Sequence, residues 1–256
     1  MYTLSSNERA FFSENGYLSI PNAVDDAALA ELRSLCRQFM QNRGIDERTL
    51  SGEHDGQLPL VWIRCSKREL DHFARTSAIF GWVRRWASEL LQVDEDSLRP
   101  KLRIFYKRPF SESAVEWHQD EAFYQKFSGE RPEGYRSLNC WIALDDAAPE
   151  SGTLKYIPGS HRDGLVEHDV IPTTVFEPLL EGESRQDDEQ AGITLRTANL
   201  DEKRAIYASV PRGGINIHHC RTLHASDANT CASPRGAFVM IFRQEAGPGA
   251  GEQSGA

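Results

Sequence analysis

The chain lacks a CxxC pair, a run of basic residues, an apolar stretch long enough to cross a bilayer, an internal repeat and a linker between domains. Each absence removes a class of protein. Its five cysteines (Cys36, Cys65, Cys140, Cys220, Cys231) are odd in number and widely spread. They give no disulfide framework or zinc knuckle and fit a reducing compartment. Only Cys220 has a base beside it, His219, and even there a small buried hydrophobe is the expected role. With 29 Lys+Arg against 38 Asp+Glu, the net charge is −9. Neither a nucleic acid nor an anionic membrane is therefore an expected partner. Residues 1–20 lack the basic segment and apolar core of a secretory signal. The C-terminal SGA is not a peroxisomal SKL, so a cytoplasmic location is expected.

The 256 residues are 39% apolar and 26% charged, enough for one large domain or two small ones with ample chain to bury a core. The first hundred residues read as mainly helical. Asn15-Gly16 stops a first helix, and Tyr17–Ile20 is a short strand. Asp25 or Asp26 caps a second helix carrying Leu29, Leu32, Leu35, Cys36 and Phe39, ended by Gly44. Residues 45–60 read as a loop. A further helical stretch carries Phe73, Ile79, Phe80, Val83, Trp86 and Leu90, with Trp82 and Trp86 expected in the core. From about residue 100 the pattern alternates, with strands at 102–106, 137–144, 152–157, 215–219 and 236–242. Short strands between turn signals point to an antiparallel sandwich or barrel. Residues 162–205 interrupt the series as a polar, acidic insertion, and 247–256 have linker composition and are expected to be disordered. One domain over 1–246 is expected.

The chemistry concentrates in Glu116-Trp117-His118-Gln119-Asp120. On a strand, His118 and Asp120 project from one face, with Gln119 turned away. They make two thirds of a two-histidine, one-carboxylate set, which suits non-haem Fe(II) because it leaves coordination positions open. The segment 217–235 offers His218, His219 and His224 for the third donor. A hairpin turning between Asn229 and Thr230 would set His224 opposite Arg235. Cross-strand neighbours lie about 5 Å apart, so the guanidinium could grip a carboxylate near a metal held by His224. Ser226 shares the face of His224 and adds a hydroxyl.

These stretches together resemble the phytanoyl-CoA dioxygenase family of Fe(II)- and 2-oxoglutarate-dependent oxygenases. The resemblance rests on HQD, CWIALDDAAPESGTLKYIPGSH, LHASDANTCASPR and the opening FFSENGYLSIPNAV, and spans roughly residues 8–243. It implies His118, Asp120 and His224 as iron ligands, Arg235 and Ser226 on the distal carboxylate of 2-oxoglutarate, and O2 as the second co-substrate. Trp141 matches an aromatic that lines the co-substrate pocket, and Asn139, Trp141 and Ala143 share one strand face. The opposite face, with Leu138, Cys140, Ile142 and Leu144, is apolar enough to pack on helices. Neither His218 nor His219 has a serine two residues on. The implied fold is mainly β with N-terminal helices: a double-stranded β-helix, or jelly roll, of cupin type. His161 reads as a structural hydrogen-bonder, and Lys107 stands where the family often has a basic residue.

The implied reaction is hydroxylation of an aliphatic C–H in a small metabolite, with release of succinate and CO2. Halogenases of this type have a small residue where Asp120 stands, so a hydroxylase-type site is favoured. Desaturation, epoxidation and ring rearrangement use the same ligands. The rivals are a non-catalytic β-helix binding module and a cupin enzyme that needs no 2-oxoglutarate. A coenzyme A thioester would want a basic patch, which no run in the sequence advertises. Phe105, Tyr106, Phe123 and Tyr124 flank the HxD strand as candidate pocket walls. The acidic stretch 176–204 has a net charge of −4 and falls between the two halves of the proposed metal site, as a candidate cover for the pocket.

Overall fold

The computed structural model describes residues 2–46, 60–128, 135–173 and 193–244. Helix α1 (Ser6–Asn15) starts at a capping box between Ser5 and Glu8 and stops at Gly16, whose φ of 75° is left-handed. A Cβ at Gly16 would lie 2.4 Å from His161 Nδ1, so dihedral and close approach both demand glycine. Asp25 caps α2 (Asp26–Gln41), which buries Leu29, Leu32, Cys36, Phe39 and Met40. The third helical stretch is two helices, α3 (Lys67–Thr76) and α4 (Ala78–Leu91). Ser77 divides them with an extended backbone, φ −108° and ψ 122°. Within the half expected to be helical, Leu60–Arg64 forms a strand, β2. Most of the expected loop at 45–60 lies outside the described residues.

The remaining strands are β1 (Tyr17–Ile20), β3 (Leu98–Lys107), β4 (Val115–His118), β5 (Ser137–Ala143), β6 (Leu154–Tyr156), β7 (Asp169–Pro172), β8 (Ile193–Arg196), β9 (Ile206–Tyr207), β10 (Ile215–His219), β11 (His224–Ser226) and β12 (Arg235–Gln244). A six-stranded sheet runs β1-β10-β5-β12-β3-β2, and a four-stranded sheet runs β4-β11-β6-β9. All pairings are antiparallel. This is the expected double-stranded β-helix. Helix α5 (Asp120–Ser128) follows β4.

The larger sheet has two working faces because its strands alternate. Its outer face, with Leu102, Ile104, Leu138, Cys140, Ile142, Phe238 and Met240, packs on Phe39, Phe73, Val83 and Trp86 of the helices. Each such large side chain contributes about 1.5–3 kcal/mol by burial. Trp86 is in this core and Trp82 packs against it, as expected. The inner face carries Trp141, Ala143, Ala237 and Val239. The smaller sheet meets a lesser cluster of Trp117, Ile157, Leu223 and Ala225. Inside the acidic insertion, β7 and β8 pair as a ribbon. The candidate cover at 176–204 lies mostly outside the described residues, as does the tail from 247. Among the described residues, no helix is long and apolar enough to cross a membrane.

Candidate metal centre and co-substrate pocket

His118 closes β4, and Asp120 opens α5. The two side chains meet across a strand-to-helix turn rather than along one strand, which corrects the simple alternation expected for the HxD motif. Gln119 does turn away. Fully buried, it donates through Nε2 to Gly164 O (2.8 Å) and Arg221 O (2.6 Å) and accepts from Val166 N (2.9 Å). These bonds pin the turn.

His224 lies directly opposite His118 on the neighbouring strand, and Asp120 closes the group. One donor atom from each of the three lies within 4.8 Å of the others. The imidazole tautomers are fixed by backbone carbonyls. His118 Nδ1 donates to Glu116 O (2.7 Å) and His224 Nδ1 to Thr222 O (2.9 Å). Both Nε2 lone pairs are thereby left for the centre, 3.7 and 3.8 Å from Asp120 Oδ1. Such outer hydrogen bonds orient imidazole ligands and raise their basicity. Burial and the neighbouring His118 push His224 well below the ordinary histidine range, so its ring is neutral. Burial pushes Asp120 upward, but the neighbouring His224, His118 and His218 rings outweigh it and hold the carboxyl well below the usual carboxylate range. Two imidazoles, each with Nε2 turned inward, and one carboxylate are the donor set that suits non-haem Fe(II).

The outer oxygen of Asp120 is already engaged. Asp120 Oδ2 accepts from Asn139 Nδ2 (2.7 Å) and His218 Nε2 (3.2 Å). Tyr156 Oη, 3.1 Å from His218 Nδ1, donates to it and sets that tautomer. His218 is therefore no rival ligand; it orients the carboxylate. Sequence reasoning weighed it only as a competitor, although Asn139 on β5 and His218 on β10 pair directly. His161 Nε2 bonds Ser13 O (3.2 Å), the structural role expected of it. Cys220 is buried and donates to Glu121 Oε2 (3.3 Å), a packing role.

Arg235 reaches this centre by a different route from the one expected. His224 pairs with His118 and Tyr156 in the smaller sheet, whereas Arg235 pairs with Lys107 in the larger. Residues 227–234 thus cross between sheets and form no hairpin. Asn229 sets the crossover by donating to Arg108 O (3.0 Å) and Ser233 O (2.8 Å). The link between the two halves is Lys107, which is fully buried. Its Nζ donates to Ser226 Oγ (2.8 Å) and to the carbonyl of Asp227. Burial first, then the charge of Arg235, pushes the Lys107 amine well below the usual lysine range.

Arg235 is itself buried, with its guanidinium 5.2 Å from the Trp141 ring. It donates to Gly152 O (2.9 Å), and its Nε has no acceptor. Burial pulls it down to about 10 against the opposing pull of Asp145. Two buried basic groups thus stand on paired residues, without a carboxylate within ion-pair distance among the described residues, an arrangement that an anion would relieve. Ser226 is two strand residues, about 7 Å, from His224, a gap that a five-carbon dicarboxylate bridges. Of the aromatic candidates, Phe123 stands edge-on to His118 at 5.6 Å, and Phe105 stacks on Trp62 on the inner face. Tyr106 instead packs into the helix core.

Comparison with known proteins agrees with this geometry. The sequence profile of the phytanoyl-CoA dioxygenase (PhyH) family matches residues 12–237. The chain is 32% identical over 135 residues to phytanoyl-CoA dioxygenase domain-containing protein 1 of Danio rerio, covering 53% of this chain and 41% of that one. It is 26% identical over 254 residues to the ectoine dioxygenase of Halomonas elongata, covering 94% of this chain and 70% of that one. The chain thus spans less than half the length of the Danio relative. The crystal structure of EvdO2 from Micromonospora carbonacea var. aurantiaca complexed with 2-oxoglutarate superposes with a TM-score of 0.74 at 25% identity, covering 95% of this chain and 92% of that one. The profile match over most of its length, with the two-histidine, one-carboxylate cluster inside a double-stranded β-helix, makes this chain a member of the phytanoyl-CoA dioxygenase family.

Proposed function

We propose that the protein is an Fe(II)- and 2-oxoglutarate-dependent dioxygenase that hydroxylates an aliphatic C–H of a small molecule. One observation carries this reading: beside a His-Asp-His cluster the paired, buried Arg235 and Lys107 stand without an ion-pairing carboxylate among the described residues. A metal site alone would suit a cupin that needs no co-substrate. A buried guanidinium and a buried amine cost stability unless a carboxylate comes to them. In this reading His118, Asp120 and His224 hold the iron. Arg235, Ser226 and Lys107 hold the distal carboxylate of 2-oxoglutarate, and Trp141 forms the wall beneath it. Residues 1–246 act as one catalytic unit, in keeping with a helical layer whose core is continuous with the larger sheet.

Iron bound here supplies the redox chemistry that couples conversion of 2-oxoglutarate to succinate and CO2 with insertion of one atom of O2 into a substrate C–H bond. The chain's own contribution is positional. Asn139 and His218 occupy Asp120 Oδ2 and leave Oδ1 turned toward the two imidazoles. The cation pair fixes one end of the co-substrate, so its other end reaches the open side of the cluster. The two sheets enclose the reaction and limit water. Asp120 argues for oxygen insertion over halogenation. The names of relatives that act on small molecules, such as ectoine dioxygenase, support a metabolite as substrate. The acidic charge and five free cysteines support a cytoplasmic enzyme without nucleic-acid or anionic-membrane partners.

The test is anaerobic addition of 2-oxoglutarate to the Fe(II)-loaded protein. A weak visible charge-transfer band is expected, and His118→Ala abolishes it. Admission of air then yields succinate and CO2 in equal amounts. No band and no succinate would refute the assignment.

A further inference from the structure

Just past the end of β3 the chain turns with a costly residue at the bend. Phe110 has a φ of 50°, in the left-handed region, where a bulky side chain is strained and glycine or asparagine is the cheaper choice. The surroundings fix this conformation. Phe110 N donates to Cys231 O (3.1 Å), Ser111 bridges Asn229, and Asn229 Nδ2 donates to Arg108 O (3.0 Å). The ring itself is not packed. At 70% exposure, Phe110 is the most exposed large apolar side chain among the described residues. A strained backbone that holds an aromatic ring out in water points to a use of that ring outside its own chain.

The reacting centre is not that use. Lys101 stands level with Asn139 through Ile241, and Asn139 donates to Asp120, whereas Lys107 stands level with Arg235. From Lys101 to Lys107 the strand advances about 20 Å, and Phe110 lies beyond Lys107. The ring therefore sits at the far end of the barrel from the metal cluster.

Beside the turn is a cavity of about 350 Å³, at the small end of those that take an organic ring. It is lined by buried Cys36, Met40 and Leu144 and by half-buried Tyr106, Pro109 and Pro234. The cavity adjoins Phe110 on both sides: Pro109 precedes it, and Ala232, also in the lining, follows its hydrogen-bond partner Cys231. Opposite charges flank the ring and the cavity. Arg37 lines the cavity, and Glu112 lies two residues after Phe110. Both are exposed, and neither forms an ion pair among the described residues. Arg33, by contrast, is already bonded to Asp145 (2.6 Å).

We infer that this face joins two copies of the chain in an isologous dimer, in which Phe110 of each copy fills the cavity of the other and Glu112 of each meets Arg37 of the other. Ring and cavity adjoin on one surface and carry opposite charges, so a two-fold axis between them satisfies both halves at once. A phenylalanine side chain buries about 150–250 Å². Two rings with the surfaces that receive them come to about 600–1,000 Å², the low end for a specific interface. The dimer is accordingly reversible, with a dissociation constant in the micromolar range.

The experiment is sedimentation velocity on the full chain, across concentrations over which the wild type should pass from monomer to dimer. Phe110→Asn should weaken association about tenfold or more. It should not lower the melting temperature of the monomer, since asparagine accepts the left-handed backbone. Arg37→Glu and Glu112→Arg should each weaken association about tenfold, because like charges then face one another across the axis. An equimolar mixture of those two variants should associate as the wild type does, since each copy then offers the charge the other needs. The inference is overturned if the wild type stays monomeric throughout, or if Phe110→Asn associates as the wild type does or melts several degrees lower. A mixture that associates no better than either charge variant alone overturns it as well.

Discussion

Replacing Arg235 by leucine separates the cost of a buried cation from its use. In the co-substrate-free protein the guanidinium is buried, and burial pulls it down to about 10. Because the folded value is depressed, the charge opposes folding at pH 7, by about 3 kcal/mol at 1.36 kcal/mol per unit. Leucine removes that penalty. It also removes the bond to Gly152 O and the stack on Trp141, each worth about 1 kcal/mol. The net is a gain of about 1 kcal/mol, or a melting temperature higher by about 2–4 °C for a chain of this size. Binding moves the other way. Removing one partner of a buried ion pair costs about 3–5 kcal/mol. With Lys107 still present the lower end applies, so 2-oxoglutarate should bind about 100-fold more weakly. Mn(II) affinity should hold within about twofold, since the metal donors sit on other elements. The assays are calorimetry with 2-oxoglutarate on the Mn(II)-loaded protein and melting curves with and without it. A variant less stable by several degrees, with 2-oxoglutarate binding nearly intact, would show Arg235 to be a structural cation and refute the reasoning.

Other consequences follow from neighbouring contacts. Gly152 has a φ of 71°, and a Cβ there would lie 2.4 Å from Asp227 O; Gly152→Ala should displace the carbonyl that holds Arg235 and raise the KM for 2-oxoglutarate with iron affinity less affected. His218→Phe leaves Asp120 Oδ2 with Asn139 alone, so metal affinity should fall about 10- to 100-fold, read by Mn(II) titration, while His218→Gln retains part of it. His219 is held down to about 4 by burial, with His161 and Arg221 adding to the effect. Its folded value lies below its unfolded one, so its contribution is complete above about pH 6.5 and is lost as pH falls toward 4, by about 3 kcal/mol. His219→Asn keeps an acceptor for the Arg221 N–H and should flatten that part of the melting temperature profile; an unchanged slope would locate the acid sensitivity elsewhere.

Sequence periodicity was most informative where one residue's environment is set by its own strand. The two faces of β5 were legible because Leu138, Cys140, Ile142 and Leu144 alternate with Asn139, Trp141 and Ala143. The donor triad was legible through its spacing and family resemblance. What sequence could not supply was partnership between strands distant along the chain. The His224–Arg235 hairpin was geometrically reasonable, yet each strand found better partners in a different sheet, with Asn229 fixing the crossover. His218 could be counted as a histidine, but only the pairing of β10 with β5 reveals that it serves Asp120. Ser77 shows the local limit: its extended backbone divides two helices whose apolar spacing runs on without a break.

The placement of the metal donors on the smaller sheet has a further consequence for how the molecule opens. His118 and His224 belong to strands whose own apolar cluster is small, whereas Asp120 is tethered by Asn139 and His218 on the larger sheet. A bound ion would therefore act as a rivet between a weakly held layer and a strongly held one. Metal loading should slow amide exchange in β4 and β11 far more than in β5 and β12, since only the former open without unfolding the whole chain.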